Sequence, residues 1–180
     1  MSFYARYRPG ARRDPIAALA LRSAGVDDAA AIARIHAERH GGSLASIEGA
    51  VAGETVRIGA GEIEKYVCVA VAGDRVVGFG RCMRLTRARL AGARGLPPGW
   101  YLSGVVVEIA AHRRGIGRAL TLHRLEWLRA RTHQVFYFAD LANRPSIDLH
   151  AALGFEEISR DFSVPPGLLE GADILFRRAL

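Results

Sequence analysis

The chain has 180 residues, 50 % of them apolar and 24 % charged, with a net charge of +7. That length predicts a core burying roughly 70 % of the unfolded surface, with no disulfide or metal needed as a staple. No apolar run approaches the ~20 residues of a membrane helix, and two cysteines make no disulfide framework. A reducing, cytoplasmic setting is therefore expected, with no membrane partner.

Residues 1–17 read as a basic, poorly ordered N-terminal arm. Arg6, Arg8, Arg12 and Arg13 stand against Asp14 and supply +3 of the net charge. Phe3, Tyr4 and Tyr7 are interleaved with them, the pattern of an RNA-binding tail; an RNA-binding module rests only on this arm and the arginine-rich loop 87–99, and nucleic acid is not the expected partner. The short apolar run Ile16–Leu21 lies between Pro15 and Arg22 and reads as the approach to a first strand rather than a leader peptide.

From residue 18 to 180 the pattern is that of a single mixed α/β domain. Ala18 to Ala24 reads as a strand. Asp27 or Asp28 caps a helix that runs to about Arg39, with Ile32 and Ile35 on its buried side. Gly41-Gly42 breaks it, and Ser43 to Thr55 reads as a second short helix. Tyr66–Ala72 and Arg75–Arg84 form a hairpin turning at Gly73-Asp74. In that register Cys68 and Cys82 do not face each other, so both are expected as free thiols. Arg87–Gly99 is a long basic loop, and Tyr101–Val107 a buried strand. Gly115 to about Arg131 is a helix with Ile116, Ala119, Leu120 and Trp127 near one face. Val135–Leu141 is a strand, and Asn143–Leu153 a short helix with Pro145 in its first turn. Phe155–Val164 and Ile174–Ala179 close the chain as a hairpin.

The stretch Val105–Leu120, VVVEIAAHRRGIGRAL, carries the chemistry. A β-branched run ends, a basic linker follows, and Gly115 and Gly117 open a helix. The first helical N–H groups have no partner within the helix, and the helix dipole adds positive charge there, so a diphosphate fits. The bare pattern is equally that of a turn that binds nothing. A dinucleotide fold would need a third glycine where Leu120 stands. A P-loop would need Gly-Lys-Ser/Thr, yet the only lysine of the chain is Lys65.

This order of strand, basic linker, x-x-Gly-x-Gly and helix resembles the acetyl-CoA signature of the GNAT acetyltransferases. A second stretch, Asn143-Arg-Pro-Ser146-Ile147-Asp-Leu149-His150-Ala-Ala-Leu153-Gly154-Phe155, resembles that family's Asn-x-x-Ala/Ser-Ile-x-Leu-Tyr-x-x-Leu-Gly-Phe. The resemblance implies a mostly antiparallel sheet, flanked by helices, whose fourth and fifth strands splay apart to admit the pantetheine arm. It also implies acetyl-CoA as cosubstrate, an amine as acceptor and no metal. A homodimer is left open.

Carried over by position, the main chain of Val105, Val106 and Val107 lines pantetheine and acetyl group. Arg113, Arg114, Gly115, Ile116, Gly117 and Arg118 hold the diphosphate, and Asn143 contacts the cofactor arm. His112 stands where the family usually has Arg or Gln, and Ile109 where Pro is frequent. Asn143 is equally a helix N-cap, and both arginines equally a solvated turn. The amine would attack the thioester carbonyl directly, with a strand-four N–H holding the oxyanion of a tetrahedral intermediate.

His150 occupies a slot where relatives carry a tyrosine proposed to protonate the departing thiolate. A thiol has a pKa near ~8.5, imidazolium ~6.5 and phenol ~10, so imidazolium is the stronger acid, about a quarter of it protonated at pH 7. The alternative is a helix histidine packed against the sheet. The family's usual base positions read Tyr101, Ser103 and Phe138, none of them a base unaided. Asp140, two residues on from Phe138, is the candidate base. Glu38, His40 and Glu48 lie near the acceptor side and read as surface, and a water relay is equally open. The reading is an acetyl-CoA-dependent N-acetyltransferase acting on a small-molecule amine. Alternatives are a protein N-terminal or lysine acetyltransferase and a non-catalytic CoA-binding sensor.

Overall fold

The computed structural model describes Tyr7, Gly10, residues 12–164 and residues 172–180. Phe3, Tyr4, Arg6 and Arg8, expected in the basic arm, lie outside the described residues. Seven strands and four helices follow in the order β1 (Leu19–Ser23), α1 (Ala29–His40), α2 (Leu44–Gly59), β2 (Lys65–Ala72), β3 (Arg75–Leu85), β4 (Gly99–Val107), α3 (Ile116–Arg129), β5 (Gln134–Ala139), α4 (Arg144–Ala151), β6 (Glu156–Ser159) and β7 (Ile174–Ala179). The sheet order is β1-β2-β3-β4-β5-β7-β6. Antiparallel ladders join β1 to β2, β5 to β7 and β6 to β7, and β4 pairs with β5 in parallel. That parallel ladder is confined to Trp100–Val135 and Tyr101–Phe136.

The chain divides into two compact units. The first joins Gly10–Cys82 to Ser103–Glu126. Its core is a cluster of Ile32 and Ile35 from α1, Val51 from α2, Val67 and Val69 from β2, and Val76 and Phe79 from β3. Ile32 and Ile35 are fully buried, as their helical spacing requires, and each such side chain contributes roughly 1.5–3 kcal/mol of transfer free energy. The second unit joins Met83–Leu102 to Trp127–Leu180. Its core gathers Leu85, Leu90, Tyr101, Phe136 and Leu175.

Local details depart from the sequence expectations in three places. Asp28 sits at the start of α1 without a side-chain cap bond. Its carboxylate accepts from the Gly25 amide at 2.8 Å and pairs with Arg22 at 2.6 Å, because a charged partner outweighs a cap. Ser43, by contrast, caps α2, which runs four residues beyond the expected Thr55. β6 stops at Ser159 because Ser163 bridges to Arg94 in the β3–β4 loop instead of extending the hairpin.

Candidate active site

Within the first unit, β4 ends in a built anion cradle. After Val107 a short 3-10 turn, Ile109–Ala111, leads into the basic linker. His112 donates through Nε2 to the Val107 carbonyl at 2.8 Å, which ties the linker back to the strand end. Arg113 and Gly115 both have positive φ, +66° and +81°. Left-handed residues at 113 and 115, two apart, are the kind of turn from which an anion nest is built. α3 starts at once, and the Ala119 N–H donates to Gly115 O, so the amides of residues 116–118 are those that a helix leaves unpaired. Arg113 and Arg114 flank this nest, and both are half-buried.

The N-terminal segment also meets the linker. The Arg13 amide donates to Arg113 O at 2.9 Å, the Arg13 guanidinium to Ala110 O at 3.2 Å, and Arg114 to Asp14 O at 3.3 Å.

Strand β4 changes face at Gly104, whose φ of +64° places a left-handed residue mid-strand, as in a glycine bulge. With one residue inserted, Val106 rather than Val105 shares the face of Ser103. Val106 packs against the core under α1 and α2, while Val107 Cγ2 borders Gly78 on the side of α3. Arg124 secures the bulge. It is fully buried on α3, donates to Arg81 O at 2.6 Å and Gly104 O at 3.4 Å, and lies so close to Gly80 that a Cβ there would sit 2.9 Å from its Nε. Beyond the strand, buried Glu108 holds Arg34 at 2.8 Å and Arg75 at 2.7 Å.

The second unit carries the remaining expected residues. Asp140 follows the last residue of β5 and accepts the Ala142 amide on Oδ1 at 2.7 Å, a turn-forming contact. Asn143 stands at the N-cap of α4 but makes no side-chain cap bond. His150 is 2 % exposed, stacked on Tyr137, with Nδ1 at 2.8 Å from Ser146 O. A carbonyl only accepts, so that nitrogen carries the proton.

The acetyltransferase (GNAT) family model matches residues 28–155, well over half of the chain and the span that holds the cradle and both sequence motifs. The chain belongs to the GNAT acetyltransferase family. No curated protein sequence matches it. Solved structures do. A ribosomal-protein-alanine N-acetyltransferase from Brucella melitensis is 25 % identical, with a TM-score of 0.65 over 89 % of this chain and 99 % of that one. An acetyltransferase from Salmonella typhimurium, solved with acetyl-CoA, is 22 % identical, with a TM-score of 0.64 over 91 % and 95 %. The PaiA N-acetyltransferase from Thermoplasma acidophilum, solved with coenzyme A, is 12 % identical, with a TM-score of 0.67 over 91 % and 100 %. The mixed seven-stranded sheet with its parallel β4–β5 pair is the fold they share.

In this GNAT chain, sequence reasoning named His40 as a surface residue, and it is exposed, but missed the polar cluster around it on the α1–α2 side of the first unit. His36 and His40 on α1 have ring centroids 4.7 Å apart. Burial holds both imidazoles below their ordinary pKa, with neighbouring positive charge adding to it. Arg81 on β3 and the ion pair of Glu54 with Lys65, 2.6 Å long, complete the cluster. The i, i+4 spacing of His36 and His40 was the available signal. Among the described residues no group of three His, Cys, Asp or Glu could hold a metal, and no helix is long and apolar enough to cross a membrane.

Proposed function

We propose that this chain is an acetyl-CoA-dependent N-acetyltransferase acting on a small-molecule amine. One observation carries the reading. Arg113 and Gly115, both left-handed, form an anion nest at the open N-terminus of α3, directly after the strand expected to line the pantetheine. The residues present fit a diphosphate through main-chain donors, so the His112 and Ile109 departures from the family pattern cost little contact. The solved relatives that hold coenzyme A or acetyl-CoA support the same ligand.

Bound acetyl-CoA supplies an acetyl group already activated as a thioester. The amides of residues 113–118 hold the diphosphate, with Arg113 and Arg114 adding charge. Main-chain groups of Val105, Val106 and Val107 orient the acyl end, and a β4 N–H stabilises the negative charge that develops on the carbonyl oxygen. Asn143 contacts the cofactor arm, and His150 delivers a proton to the departing sulfur. Asp140 is the proposed proton acceptor for the amine.

Calorimetry with acetyl-CoA tests the reading. Gly117→Val crowds the first amides of α3 and is expected to weaken binding at least tenfold while circular dichroism stays unchanged. Unchanged affinity in a folded variant overturns the assignment. Binding without consumption across an amine panel would identify a CoA sensor instead.

A further inference from the structure

Arg81 is a cation with too little negative charge around it. Phe79 and Arg81 are two apart on β3 and so share a face. The guanidinium carbon lies 4.9 Å above the Phe79 ring, which belongs to the core cluster shared by α1, α2, β2 and β3. Arg81 Nε is shut off from solvent and has no hydrogen-bond partner among the described residues. Its nearest carboxylate oxygen, Glu54 Oε1, is 3.9 Å away, beyond hydrogen-bond reach. Glu54 is moreover committed through its other oxygen to Lys65 at 2.6 Å. One carboxylate thus serves two cations.

The remaining neighbours add no negative charge. His36 and His40 contribute rings held neutral near pH 7. Arg39, beside His40, is a further cation. A half-buried guanidinium left in this state is costly unless a ligand supplies the missing anion, and a planar fork of donors matches a carboxylate.

We propose that this face binds an acceptor bearing a carboxylate as well as its amine, with Arg81 as the group that holds the carboxylate. The proposal rests on the N-acetyltransferase reading and narrows its substrate to compounds of the amino-acid type. The Phe79 ring and the Glu54–Lys65 pair set the position of the guanidinium, so that the carboxylate fixes where the amine stands.

Product-like ligands test this without turnover. N-acetylglycine, N-acetylleucine and N-acetylglutamate are titrated calorimetrically against their α-amides, with and without saturating coenzyme A. At least one acid is expected to bind tenfold or more tighter than its amide. Arg81→Gln removes that preference, and Arg81→Lys restores part of it. If no acid outbinds its amide in the unmodified protein, the proposal is overturned, whether or not the variants fold. A preference that survives in folded Arg81→Gln overturns it as well. Acetyl-CoA titrated into the same samples reports separately on the functional reading, since Arg81→Gln is expected to leave that affinity unchanged.

Discussion

The His150 imidazole lies flat on the Tyr137 ring, with centroids 3.9 Å apart and planes 15° from parallel. Tyr137 Oη donates to Ser146 Oγ at 2.7 Å, and the Ser146 carbonyl takes the His150 Nδ1 proton at 2.8 Å. This fixes the ring and places a proton on Nδ1, so in the proposed reaction the proton delivered to sulfur would leave from Nε2. His150→Phe keeps a stacked ring but removes the donor. Steady-state kinetics are expected to show kcat reduced roughly ten- to a hundredfold, with the acetyl-CoA dissociation constant unchanged. Full activity in the variant would assign the proton to water.

Glu108 is a second point of sensitivity. Its side chain is 8 % exposed, while Arg34 and Arg75 are 41 % and 59 % exposed. Breaking a fully buried pair costs about 3–5 kcal/mol, and partners that reach water lower this. Glu108→Gln is therefore expected to lose about 2 kcal/mol in urea unfolding, by the cost of an under-satisfied buried acceptor. A change within experimental error would mean that solvent replaces the carboxylate.

Stability is expected to fall on mild acidification. Burial lowers the pKa of His36, His40 and His123 from the ordinary 6.5. Between that value and the lowered ones the unfolded chain binds more protons than the folded one. The contribution is thus complete above about pH 6.5 and is lost as pH drops through the folded pKa values. Urea midpoints at pH 7.5 and 5.5 should show the loss, and His36→Phe should reduce it. Equal midpoints would contradict the burial of these rings.

Both cysteines are buried and free. Burial raises the Cys68 thiol above its ordinary 9.0, against a smaller opposing effect of Arg124. Since the thiolate is the nucleophile, disulfide reagents should react slowly with the native protein. Titration after unfolding without reductant should count two thiols.

The turn at Gly115 and the Asn143–Phe155 stretch were legible because main-chain geometry follows directly from glycine and helix-start signals, whereas the left-handed Arg113 was not, and Gly117 lies within α3 rather than in the turn. Ile32 and Ile35 were legible for the same local reason, a period of 3.6. Arg124 was not. Helix faces are read by apolar periodicity, and an arginine on the buried face satisfies itself on the carbonyls of Arg81 and Gly104, 43 and 20 residues away. Arg81 was hidden likewise, since only the packing of α2 against β3 brings it to Glu54. The end of β6 was misjudged because the Arg94–Ser163 bridge is a long-range competitor for the same backbone groups.

The backbone bond from Arg13 to Arg113 makes preparation of this protein part of its enzymology. A shortened start that removes Arg13 takes away the donor to Arg113 O, the carbonyl of a left-handed residue in the linker before α3. Two samples with identical sequence from residue 19 onward are then expected to differ in acetyl-CoA affinity, and activity comparisons between laboratories become comparisons of N-termini.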